Sequence, residues 1–204
     1  MNIKSLIASI AVPIMLVSAA QAAVVTYNFE ATQSINVGTA TPGSITEFAQ
    51  TQTTVTGSFS YDTSTGPLND NGDIALYLTG QITLNNGGTG FSSLPLETTR
   101  VIYGLNLDQF AVIGLNGDDE FTITLTGDTS LFSSGDLPLS LALANFGQSA
   151  RFRVIDFNTN ALAQFDITSL TEVSPVPLPA AAPLFLAGLA GAGFARRRHK
   201  KQAA

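Results

Sequence analysis

Cysteine and tryptophan are absent from this chain of 204 residues, and its one histidine, His199, lies close to the C-terminus. The lysines, Lys4, Lys200 and Lys201, are also confined to the ends, so residues 23–174 hold none. Each absence removes a chemistry. Without cysteine there is no disulfide framework and no thiol nucleophile. Without an imidazole there is no Ser-His-Asp triad, and without lysine no Schiff base. Zinc sites, which favour His and Cys, have little to draw on. A glycine-rich phosphate loop is missing too. What the inventory leaves is carboxylate chemistry, such as a glycosidase pair. Yet no acid stands in a distinctive context, and no tryptophan offers a sugar platform. Residues 23–174 therefore read as non-enzymatic, with a carboxylate-dependent glycosidase as the least favoured alternative.

Positive charge is scarce in the same region. Lys and Arg number 9 and Asp and Glu 15. Once Lys4 and the C-terminal cluster are set aside, only Arg100, Arg151 and Arg153 remain. All 15 acids lie between residues 23 and 174, so three bases face them and the segment carries a net −12. Such a surface repels phosphate backbones, which argues against a nucleic-acid partner and suits divalent cations or basic partners.

The two ends differ from the middle. Lys4 is followed by an apolar stretch from Leu6 to Val17, then Ser18-Ala19-Ala20-Gln21-Ala22. One positive charge, a short apolar run and an Ala-x-Ala site at Ala20 and Ala22 predict a secretory signal peptide over residues 1–22, for export by the Sec machinery and cut after Ala22. At the other end, residues 175–204 hold three parts in order. Val176-Pro177-Leu178-Pro179-Ala180 comes first, an uncharged apolar run to Ala195 second, and the basic cluster Arg196, Arg197, Arg198, Lys200 and Lys201 last. The prolines delay helix formation. As a helix the apolar run is about 24 Å long, short of a hydrocarbon core of about 30 Å. Gly188, Gly191 and Gly193 invite close helix contact. The basic cluster stays cytoplasmic by the positive-inside rule, so the domain faces outward from a transient inner-membrane anchor.

Between the ends, residues 23–174 form one domain of about 150 residues, enough to bury a core without staples. Val24 to Glu30 alternates as a first strand. Thr53 to Tyr61 is a second, with Val55, Gly57, Phe59 and Tyr61 on one face. Ile74 to Leu84 is a long strand or a pair bent at Gly80. Further strands are expected around Val101–Leu105, Gln109–Leu115, Glu120–Thr126, Ala150–Phe157 and Ala161–Val173. Asn116-Gly117-Asp118-Asp119 is a hairpin signal. No helical period stands out, and only Leu137–Phe146 admits a short helix. The predicted fold is all-β: an antiparallel β-sandwich of jelly-roll type, flanked by a signal-peptide helix and a C-terminal hydrophobic helix. Arg151 and Arg153 share one strand face, for which a solvated surface is the plain reading. The tyrosines and most phenylalanines lie in strands, where packing is the default and sugar stacking the alternative.

Two acidic turns are candidate calcium sites: Asp70, Asn71 and Asp73 around Gly72, and Asp118 with Asp119. Calcium takes six to eight oxygen ligands, which acidic loops can supply. Against this, Asn, Asp and Gly are what ordinary turns are made of, and the first stretch lacks the EF-hand spacing. No other cofactor is implied.

The C-terminal segment resembles a PEP-CTERM sorting signal in its V-P-L-P-A variant. The resemblance rests on Val176 to Ala180, the run Pro183 to Gly191 and the Arg/Lys end; Leu178 stands where Glu is commonest. Thr56 to Asp62 loosely resembles other proteins carrying such signals. The resemblance implies a Gram-negative exported protein, handled by an exosortase-type enzyme that cuts near the proline motif. It implies delivery to the cell surface or extracellular matrix in an exopolysaccharide and biofilm setting. A structural or adhesive role follows as the leading expectation, and a secreted carbohydrate- or calcium-binding module as the alternative.

Overall fold

The computed structural model describes residues 24–85, 90–92, 98–103 and 105–173. The signal peptide, the sorting segment and the two terminal helices expected there lie outside these residues. The described chain is all-β, and its strands form one 11-stranded antiparallel sheet. They are β1 (Val24–Val37), β2 (Thr54–Asp62), β3 (Asn69–Asp70), β4 (Ile74–Leu78), β5 (Gln81–Leu84), β6 (Phe91–Ser92), β7 (Thr98–Ile102), β8 (Asp108–Asn116), β9 (Asp119–Gly127), β10 (Ser149–Asp156) and β11 (Ala161–Val173). The spatial order is β3-β4-β7-β8-β9-β10-β11-β1-β2-β5-β6.

The sheet curls so that one face becomes the interior. Alternation decides which residues point inward. In β2 Val55, Gly57, Phe59 and Tyr61 are buried, as the sequence pattern predicts. Aromatic rings meet across the curl: Tyr61 of β2 lies 5.0 Å from Phe110 of β8, and Phe29 of β1 lies 5.1 Å from Phe152 of β10. The first contact joins strands five places apart in the sheet order, so it holds the two halves of the curl together, while the second spans the one strand, β11, that lies between β1 and β10. Gly57 is where a ring needs room. A Cβ there would come within 2.5 Å of the Phe29 Cζ and 2.4 Å of the Thr83 carbonyl oxygen.

The expected bend at Gly80 joins the two ends of the curl. β4 bonds to β7, whereas β5 bonds to β2, and only Thr79 and Gly80 separate β4 from β5. Gly80 takes φ 130°, a conformation that favours glycine. Thr79 ties both neighbours: its Oγ1 accepts from the Asp62 N–H at 2.8 Å, and its carbonyl accepts from the Thr99 hydroxyl.

Both ends of the curl are stoppered. At one end the loop of residues 128–148 inserts Leu137, Leu141 and Phe146. Its one helical piece is a 3₁₀ turn at Leu143–Asn145, shorter than the helix allowed for there. Three tyrosines hold this loop. The Tyr61 and Tyr77 hydroxyls donate to the Pro138 and Gly135 carbonyls at 2.8 and 2.6 Å, and the Leu141 N–H donates to the Tyr27 hydroxyl at 2.7 Å. Packing, the default expectation for these rings, is what they do. At the opposite end sits α1 (Ile45–Gln50), a helix that strand-period reading overlooks. Its signature is Ser44-x-x-Glu47, a capping box. Ser44 Oγ accepts from the Glu47 N–H at 3.0 Å, and Glu47 reaches back to the Gly43 N–H at 2.6 Å.

Candidate functional site

The two acidic turns are set far apart. Ile74 pairs with Ile102, and Ile102 with Gln109, which puts the Asp70–Asp73 turn beside the start of β8. Asp118 and Asp119 follow the end of β8, which is nine residues long. At about 3.3 Å per residue the turns stand some 25 Å apart along the sheet.

Each turn has an internal use for its oxygens. Asp70 Oδ1 accepts from the Gly72 N–H at 3.0 Å and from the Tyr103 hydroxyl at 2.7 Å. These bonds, the Gly72 one first, hold the Asp70 carboxyl below its ordinary range, and the Tyr103 phenol is pushed up to about 12 chiefly by its bond to Asp70. Asn71 Oδ1 accepts from the Asp73 and Ile74 N–H groups, an ordinary Asx turn. Asp119 is buried and caps α1 from another strand. Its oxygens accept from the Ile45 N–H at 2.8 Å, the Thr46 N–H at 3.1 Å and the Thr46 hydroxyl at 2.6 Å. Asp118 accepts from Asn158 Nδ2 at 2.9 Å. Next to it, hydrogen bonds from Thr41 and then from the Asn158 N–H and Thr159 hold the Asp156 carboxyl well below the usual carboxylate range. Among the described residues no group of three or more His, Cys, Asp or Glu is placed to hold a metal ion.

A different cluster emerges on the outer face. β7 to β10 form an uninterrupted antiparallel run, and their register carries rows straight across it. Arg100 pairs with Ala111, Ala111 with Thr124, and Thr124 with Arg151. One row along, Ile113 pairs with Thr122 and Thr122 with Arg153. All three arginines of residues 23–174 thereby border one groove of about 420 Å³. Its floor is a ladder of threonines on β9: Thr122, Thr124 and Thr126. Among the described residues no aromatic ring lines it. Glu120 is the one acid in the lining, and Asp166 stands beside Arg151.

The guanidinium groups are incompletely used. Arg100 donates from Nη2 to Gln109 Oε1 at 2.7 Å, but its Nε is buried without a hydrogen-bond partner. The Nε of Arg153 is likewise buried and unpaired. Arg151 is about half exposed and reaches Asp166 only at 3.8 Å, the one ion pair among the described residues. An unsatisfied buried donor costs about 1–3 kcal/mol, and more on a charged group. The sequence shows Arg151 and Arg153 together; joining Arg100 to them requires the register of three strand pairings. The Gly117 turn, at φ 63°, was the readable part of that signal.

A second cleft, of about 300 Å³, is lined by residues of the 128–148 loop alone and gathers no comparable set of charges. Among the described residues no helix is long and apolar enough to cross a membrane. The expected sorting residues Val176, Pro177, Leu178, Pro179 and Ala180, the cluster Arg196, Arg197, Arg198, Lys200 and Lys201, and the cleavage residues Ala20 and Ala22 lie outside the described residues.

No curated protein and no solved structure matches this chain. The family that does match is the PEP-CTERM protein-sorting motif, over residues 175–200. That span takes in the proline motif, the apolar run and most of the basic cluster. It marks an exported protein handled by exosortase-type machinery. The chain carries a PEP-CTERM sorting motif at its C-terminal end.

Proposed function

We propose that this is a non-enzymatic exported protein whose β-domain has a structural or adhesive role at the cell surface or in an exopolysaccharide-rich matrix. The observation that carries the reading is the match of residues 175–200 to the sorting motif. The signal-peptide pattern ending at Ala22 agrees with it, since both devices present the intervening domain outside the inner membrane. The residue inventory supports a non-catalytic role, because residues 23–174 lack His, Cys and Lys. The precursor is held by the apolar run, and an exosortase-type enzyme then acts near Val176 to Ala180. Intact-mass analysis of the protein from its native host tests this. The expected product begins at Ala23 and ends near Pro177 to Ala180. A full-length tail recovered in the membrane fraction would overturn it.

A further inference from the structure

We infer that the outer groove of β7–β10 binds a saccharide bearing sparse carboxylates, such as a glycan in which uronate residues alternate with neutral sugars. This deepens the matrix reading above and rests on it for the ligand's source. The inference starts from charge placement. Fifteen acids and three arginines occupy residues 23–174. Arginines kept for solubility or ion pairing would be spread among the acids. Instead all three border one groove, and among the described residues only Arg151 makes an ion pair, a long and exposed one.

The unpaired groups then specify the ligand. Nε and a terminal nitrogen form the fork that meets a carboxylate with two parallel hydrogen bonds. The Nε atoms of Arg100 and Arg153 have no partner but are closed to solvent, so a carboxylate meets that fork only as the side chain swings toward the groove. In Arg100 the Nη2 already committed to Gln109 fixes the plane of the fork. Arg100 and Arg151 share a cross-strand row three strand spacings wide, about 14 Å. A ligand bridging them is therefore extended, not a single small anion. Between them the Thr124 hydroxyl can donate to and accept from sugar hydroxyls, while the Thr122 hydroxyl, which donates to Glu120, and the Thr126 hydroxyl, which accepts from Gln109, each keep one capacity. The absence of aromatic rings excludes stacking as the main attraction. Dense polyanions fit poorly. With three arginines, Glu120 in the lining and a domain of net −12, a high line charge is repelled outside the groove.

The test uses the full chain in mild detergent, with titration calorimetry against three probes. These are an oligosaccharide alternating glucuronate with a neutral sugar, its carboxyl-reduced counterpart, and duplex DNA. Binding is expected to the first alone. Arg100→Gln and Arg153→Gln should each weaken it by about ten-fold or more, the loss expected for one charge-assisted hydrogen bond. Thr124→Val, a near-isosteric change on an outer strand face, should weaken it by a smaller factor with the sheet signal intact. Equal binding of the reduced sugar, stronger binding of DNA, or arginine variants that bind like the parent would each overturn the inference. Because the chain is tested unprocessed, failure here leaves the sorting reading standing. Failure of the mass analysis likewise leaves any measured binding unaffected.

Discussion

Gly57 shows how one residue sets the interior of this domain. It occupies a core-facing position of β2 between Val55 and Phe59, where a side chain is the rule. The Phe29 ring fills its place instead, with the Thr83 carbonyl closing the other side. Gly57→Ala is therefore an overpacking change. We expect it to destabilise the domain by about 1–3 kcal/mol in urea unfolding. A loss under half of the lower figure would mean that Phe29 moves aside freely. The alternating pattern marks Gly57 as inward-facing from sequence alone. What it cannot disclose is the Phe29 ring, because that contact depends on which strand lies alongside β2.

At the scale of elements, the strands were legible and the helix was not. Period-2 alternation marks β2, β9, β10 and β11 within a residue or two of their observed bounds, since one face of each is buried. The sequence pattern places β7 further along, near Val101–Leu105, whereas it runs Thr98–Ile102, where the pairing with β4 and β8 decides its ends. α1 spans six residues, too short to show a period, and owes its stability to caps. One cap, Ser44-x-x-Glu47, could have been read. The other, Asp119, comes from 74 residues away in sequence and is visible only in the fold. As an acid in a turn, Asp119 is a candidate calcium ligand by sequence. Its carboxylate instead satisfies the buried end of α1. Asp119→Ala strands the Ile45 and Thr46 N–H groups and the Thr46 hydroxyl. We expect a loss of about 1–3 kcal/mol, with hydrogen exchange at Ile45 and Thr46 accelerated well before the rest of the sheet. Uniform acceleration across the domain would show that Asp119 supports more than this helix.

The whole molecule is a curl closed at Thr79–Gly80 and stoppered at both ends, and its tyrosines report on that closure. All four phenols are held above the ordinary value of 10.0, Tyr27, Tyr61 and Tyr77 mainly by burial and Tyr103 mainly by its bond to Asp70. A raised phenol supports the fold fully below the unfolded value, about pH 10, and that support is lost as pH rises toward the folded value. In alkaline titration, phenolate absorbance from Tyr27, Tyr61 and Tyr77 should therefore appear in one cooperative step together with loss of the far-ultraviolet sheet signal. A gradual rise near pH 10 with the sheet intact would show the tyrosines to be open to solvent. The groove belongs to this scale too. Each arginine is ordinary in its own strand, and only the meander from β7 to β10 makes them neighbours. The last strand has a mechanical consequence. β11, from which the chain runs on toward the sorting segment, is bonded on one side to β10 and on the other to β1. Tension on that end along the strand must shear the long β1 ladder, whose bonds are loaded in parallel from Leu162 to Val173, with the β10 ladder added over Ala161 to Asp166. A domain tethered through this end carries its load on an interior strand.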